Sequence, residues 1–109
     1  MPHMRFRGMK AEQVANLSQT LPQQLAPAME TSEDNFSFEL INTQYFTKGQ
    51  SGGEYPFVEV LWFQRSQEVQ DKSAMIITEK VKALFPQDDI AVIFIPLEKK
   101  NYYENGSHF

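Results

Sequence analysis

The stretch Tyr55-Pro56-Phe57-Val58-Glu59-Val60-Leu61-Trp62-Phe63 decides the fold. It is short, rich in β-branched and aromatic residues, and apolar on both of the sides a strand presents. A strand of that kind needs cover on two faces. The run Ile90 to Leu97 has the same character. Between them Ser66 is placed to cap a helix reaching about Phe85, with Val69, Ser73, Ile76, Ile77, Val81 and Leu84 inward. Pro86-Gln87-Asp88-Asp89 ends that helix. A strand, a helix and a second strand of this length form a right-handed crossover, which makes the two strands parallel.

The upstream half repeats the pattern with little residue identity. His3 to Gly8 reads as a strand, with Met4 and Phe6 on one side and His3, Arg5 and Arg7 on the other. From Met9 to about Met29 the apolar positions Val14, Leu17, Leu21 and Leu25 keep helical spacing. Pro22 removes the hydrogen bond to the Ser18 carbonyl and predicts a kink or break there. Thr31-Ser32-Glu33-Asp34 is a polar turn, and Phe36 to Phe46 reads as the next strand. The expected organisation is one domain over 1–109, with pseudo-repeat halves 1–48 and 55–109 and a glycine-rich, hairpin-like linker at 49–54. The predicted fold class is α+β: a duplicated βαβ giving a four-stranded mixed sheet with two helices on one face. No segment remains to cover the opposite face, so a further copy of the chain is the expected cover.

Composition narrows the function by exclusion. The 109 residues carry 10 basic and 14 acidic side chains, a net charge of −4 and no cysteine. The absent cysteine removes thiolate catalysis, disulfides and cysteine-based metal sites. The acidic balance, with basic residues unclustered, argues against a nucleic-acid binder. No apolar run approaches the ~18 residues of a membrane span, so a cytoplasmic protein without membrane attachment is expected. Only His3 and His108 are available as imidazoles, and no metal-ligand spacing exists. No metal and no cofactor is expected. Gly49 to Gly53 lacks the Lys-Ser/Thr of a phosphate loop and leads into a strand.

What remains is carboxylates, arginines and the chain start. Glu39 and Glu59 lie in strands, where pairing with Arg5 and Arg7 is favoured over acid–base work because buried charges are normally matched. The corner Trp62-Phe63-Gln64-Arg65 sets an aromatic wall beside a cation, suited to a carboxylate or an enolate, although a core Trp62 and a solvated Arg65 are the plainer reading. Pro2 has a sharper meaning. Removal of Met1 would expose a secondary amine at the start of a strand, and burial lowers such an amine toward neutrality.

Met1-Pro2 before a strand, in a chain of this length with two βαβ halves, resembles the tautomerase superfamily, and within it the macrophage migration inhibitory factor branch. Leu17 to Ala26 is similar to that branch's first helix, and Asn105-Gly106-Ser107-His108-Phe109 to its C-terminal end. Pro2 to Gly8, Tyr55 to Asp71 and Asn101 to Phe109 also resemble an uncharacterised bacterial family grouped with the tautomerases. The resemblance implies trimers that wrap three sheets into a barrel, with an active site at each subunit boundary. There an N-terminal proline, here Pro2, moves a proton between carbon and oxygen of an α-keto acid. It further implies an aromatic at the pocket in Phe36, a contribution from Arg65, and closure by Tyr102 and Tyr103 across the interface. One departure stands out: where the cytokine-like members carry a substrate-binding lysine, this chain has Thr31-Ser32-Glu33-Asp34, which repels a carboxylate. Anion recognition then falls to Arg5, Arg7 or Arg65.

Two functions follow. The first is an N-terminal-proline tautomerase or isomerase acting on a small enolisable α-keto acid, with Pro2 as base and acid and Trp62 and Phe36 lowering its pKa. The second is a non-catalytic homotrimeric binding protein on the same scaffold.

Overall fold

The computed structural model describes residues 1–109. In chain order the strands are β1 (Pro2–Arg7), β2 (Ser37–Leu40), β3 (Phe46–Thr47), β4 (Gln50–Ser51), β5 (Phe57–Phe63), β6 (Ala91–Leu97), β7 (Tyr103–Glu104) and β8 (Ser107–His108). The two long helices are α1 (Ala11–Met29) and α2 (Gln67–Leu84). The main sheet has the order β2-β1-β5-β6. Within each half the strands are parallel, β1 with β2 and β5 with β6, as the crossovers require. The halves join antiparallel through β1 and β5, with Pro2 opposite Trp62 and Arg7 opposite Phe57.

One face of this sheet is the core. Met4, Phe6, Val58, Val60 and Trp62 have no exposed surface, and they meet Leu17, Leu21 and Leu25 of α1 with Ile77 and Val81 of α2. At about 25 cal/mol per Å² of apolar surface, such burial is the main term opposing chain entropy. Strand alternation puts the other set on the open face: His3, Arg5 and Arg7, then Phe57, Glu59, Leu61 and Phe63, then Ile93 and Ile95. Ile93 is 39% exposed. Neither long helix lies over this face; Tyr102 and Phe109 pack on Phe63 at one end and Tyr55 on Phe57 at the other, leaving Leu61, Ile93 and Ile95 between them partly open to solvent.

Three expectations change in detail. The helix does not break at Pro22: α1 runs through both Pro22 and Pro27 as one element. Pro22 is itself buried on the apolar face, and the packing of Leu17, Leu21 and Leu25 holds the helix across the missing hydrogen bond. The second strand stops at Leu40, not Phe46, and Phe46 starts a separate small hairpin. Lys48 and Gly49 turn it with φ of 52° and 81°, the pair of positive values that a two-residue type I′ loop needs. The tail, for which no strands are expected, forms a second hairpin turned by Asn105 and Gly106 at 55° and 87°. No helix is long and apolar enough to cross a membrane.

Candidate functional site

Pro2 is fully buried at the edge of the core face. Trp62 lies opposite it on β5, and the parallel register of β1 and β2 sets Phe36 level with it on the other side. Phe36 leans on Phe38, ring centres 6.4 Å apart, and Phe38 stacks on Phe6 at 5.6 Å. Of the two predicted aromatics, Trp62 pairs directly with Pro2, while Phe36 precedes β2 and packs on Phe38. Trp62 packs against Phe94 at 4.7 Å, and its indole Nε1 is buried without a hydrogen-bond partner.

Arg65 closes the same end. Its guanidinium lies 5.1 Å from the centre of the Trp62 ring. Its Nε donates to the Met29 carbonyl at the end of α1, 3.2 Å away, and Nη1 donates to the Phe63 carbonyl at 2.5 Å. Both acceptors are neutral, so these bonds orient the fork without cancelling its charge. Arg5 and Arg7 differ. Arg5 is 3.3 Å from Glu39, which also accepts from His3 at 2.9 Å, while Arg7 Nη1 donates to Glu59. Glu39 is pulled below the usual carboxylate range, first by the His3 hydrogen bond and then by the charges of His3 and Arg5. The strand carboxylates are thus paired with strand cations, as their placement implies.

The Met1 amine, one residue before Pro2, titrates below its usual range. Burial is the largest cause, the Arg65 charge adds to it, and Glu104 opposes both. Glu104 was not among the predicted residues; it arrives on the C-terminal hairpin, and Asn105-Gly106 was the signal for it. That hairpin is anchored on the end of β5. Tyr102 and Phe109 pack on Phe63 at 5.4 and 5.5 Å and on each other at 5.2 Å. Tyr103 instead stands 63% exposed, edge-on to His108 at 5.7 Å, and does not join this cluster. No group of three or more His, Cys, Asp or Glu side chains is arranged to hold a metal ion.

Comparison with known proteins follows this geometry. Residues 1–108 match the family described as a domain of unknown function, DUF1904. The crystal structure of a DUF1904 domain from Sebaldella termitidis is 38% identical, with all of both chains aligned and a TM-score of 0.94. A protein of unknown function from Vibrio cholerae is 47% identical over 99% of this chain and 87% of that one, with a TM-score of 0.89. A fused 4-OT, solved as an asymmetric trimer, is 14% identical over 97% of this chain and 94% of that one, with a TM-score of 0.81. No curated protein matches the sequence. The fold is the one that the fused 4-OT and macrophage migration inhibitory factor-like structures share. The chain belongs to the DUF1904 family.

Proposed function

We propose that the protein is an N-terminal-proline tautomerase acting, as a homotrimer, on a small enolisable α-keto acid. The observation that carries this reading is the meeting of Pro2, Trp62 and Arg65 at one end of the sheet. With Met1 removed, Pro2 is a secondary amine; as an amide it has no usable basicity. The Met1 amine beside it is lowered by burial and by the Arg65 charge, and the same surroundings would favour a neutral Pro2 amine once Met1 is gone. That amine takes a proton from the carbon next to the keto group, and the ammonium returns it to the oxygen, so no co-reactant is needed. Arg65, whose charge is not balanced by a bonded carboxylate, holds the substrate carboxylate or the developing enolate. Positioned proton transfer of this kind is worth ~10²–10⁴-fold. A second copy packed on the open sheet face would cover its apolar half, and the trimeric fused 4-OT supports three copies.

Intact mass of the untagged protein first shows whether Met1 is removed. Ketonisation of an arylpyruvate enol is then compared between wild type and Pro2→Ala, with loss of the enzymatic rate expected. A retained Met1, or equal rates, ends the proline mechanism. The outcome then favoured is a non-catalytic trimeric binding protein, which the acidic turn Glu33-Asp34 supports. Light scattering tests the assembly separately, and a monomer mass at micromolar concentration refutes it.

A further inference from the structure

The larger cavity of the molecule lies at the other end of the sheet. It measures about 370 Å³ and is lined by Arg7, Thr43, Gln44, Tyr45, Tyr55 and Phe57. That is the size of a small-ligand site. Arg7 and Pro2 stand at opposite ends of β1, five residues and so roughly 17 Å apart. The cavity is therefore separate from the Pro2 site of the same chain.

Its walls are built, not incidental. Gly8, at φ 75°, lets the exit of β1 press against the start of β5; a side chain there would put Cβ 2.1 Å from the Tyr55 carbonyl oxygen. The Tyr45 hydroxyl donates to that same carbonyl at 3.3 Å. Tyr45 meets Tyr55 edge-on at 5.7 Å, and Tyr55 meets Phe57 edge-on at 6.3 Å, giving a wall of three rings. Burial raises the Tyr45 phenol above its usual range, with Tyr55 adding to the shift, so the phenol remains a neutral donor. Beside the rings, paired with Phe57 across β1 and β5, Arg7 spends Nη1 on Glu59 and keeps the rest of its fork. Gln44 gives one amide hydrogen to Ser51 at 3.3 Å and keeps its second.

The lining thus offers donors beside aromatic faces. A cation is excluded by the guanidinium. A dianion is disfavoured because Glu59 already offsets the Arg7 charge and Glu54 bears on Tyr45. An aliphatic acid would leave the rings unused. We infer that this cavity is a binding site for a small aromatic monocarboxylate, held by the Arg7 fork and the Tyr45–Tyr55–Phe57 wall.

The test is a titration of the full-length ¹⁵N-labelled protein with benzoate, followed by amide and arginine Nε shifts. Benzyl alcohol and acetate serve as the comparison arms. Benzoate is expected to saturate with a dissociation constant of about 0.1–5 mM, since the site is open on one side. The shifts centre on Arg7 and residues 43–57. Acetate and benzyl alcohol each bind at least about tenfold more weakly, lacking the ring or the charge. Arg7→Lys keeps a cation opposite Glu59 but not the fork, and weakens benzoate by about fivefold or more. Tyr55→Leu does the same from the ring side, so a folding defect in either variant leaves the other to decide. Saturation failing below about 20 mM, shifts confined to the Pro2 end, or benzyl alcohol equal to benzoate would each overturn the assignment. None of these readouts depends on turnover at Pro2.

Discussion

Arg65 is the residue on which fold and chemistry meet, and replacing it separates the structural account from a plain surface charge. Arg65→Gln removes the bond to the Met29 carbonyl, the bond to the Phe63 carbonyl and the stacking on Trp62. A hydrogen bond from a charged donor contributes about 1.5–3 kcal/mol when buried, and the partly exposed setting halves it, because water reaches the freed carbonyls. Stacking over the ring adds about 0.5–1 kcal/mol. The sum is about 2–4 kcal/mol, or a fall in Tm of roughly 10–20 °C for a domain of this size. Urea unfolding of wild type, Arg65→Gln and Arg65→Lys measures it; Lys reaches one carbonyl but not both and recovers less than half. A loss under about 0.5 kcal/mol for Arg65→Gln would mean an ordinary solvated charge, and the site would lose its anchor.

The same substitution has a pH signature. In the chain that retains Met1, the Met1 amine has a lowered pKa in the folded state, so the unfolded chain binds more protons between the two values. Stability therefore rises with pH across that window and levels off above the unfolded value of about 8. Removing the Arg65 charge raises the folded value and flattens the rise. An unchanged slope would show that Arg65 does not act on the amine.

Other substitutions test the frame around the two ends. Gly8→Ala forces a left-handed backbone on alanine and drives Cβ into the Tyr55 carbonyl; we expect a loss of about 3–5 kcal/mol, read by thermal melting, and a loss under about 1 kcal/mol contradicts the close approach. Glu59→Ala removes the carboxylate bonded to Arg7 and costs about 2–4 kcal/mol by urea titration, since the Glu59 side chain is only 12% exposed. Glu39→Ala, at 45% side-chain exposure, has a much smaller effect, and equal losses for the two would refute the burial argument. Because the folded Glu39 pKa is lowered, its small contribution is present above the usual carboxylate range and fades as pH falls through it; a Glu39→Gln control should lack that acid limb.

The reach of the sequence ends where pairing depends on register. Alternation in Met4 and Phe6, helical spacing in Leu17, Leu21 and Leu25, and the doubly apolar β5 and β6 are local signals, and each element they imply is present. The hairpin of the tail is equally local: Asn105-Gly106 is a strong two-residue hairpin signal. The pairing of β1 with β5 is of another kind, because nothing within either strand says which of its edges meets the other. Yet that pairing chooses among the arginines. It sets Pro2 against Trp62 and so brings Arg65, three residues on, to the chain start. It sets Arg5 opposite Glu59 and Arg7 two pairs further on, opposite Phe57 at the far end, from where Arg7 bonds to Glu59. Three cations that look alike in the sequence thereby part company. Arg5 and Arg7 face carboxylates on neighbouring strands, whereas Arg65 is fixed by backbone carbonyls and keeps its charge. If an anion binds beside Pro2, charge balance assigns it to Arg65, and Arg5→Gln should leave that binding within about twofold while Arg65→Gln abolishes it. The reverse result, measured by carboxylate competition against the ketonisation rate, would mean that a second copy rearranges the His3–Glu39–Arg5 cluster on assembly.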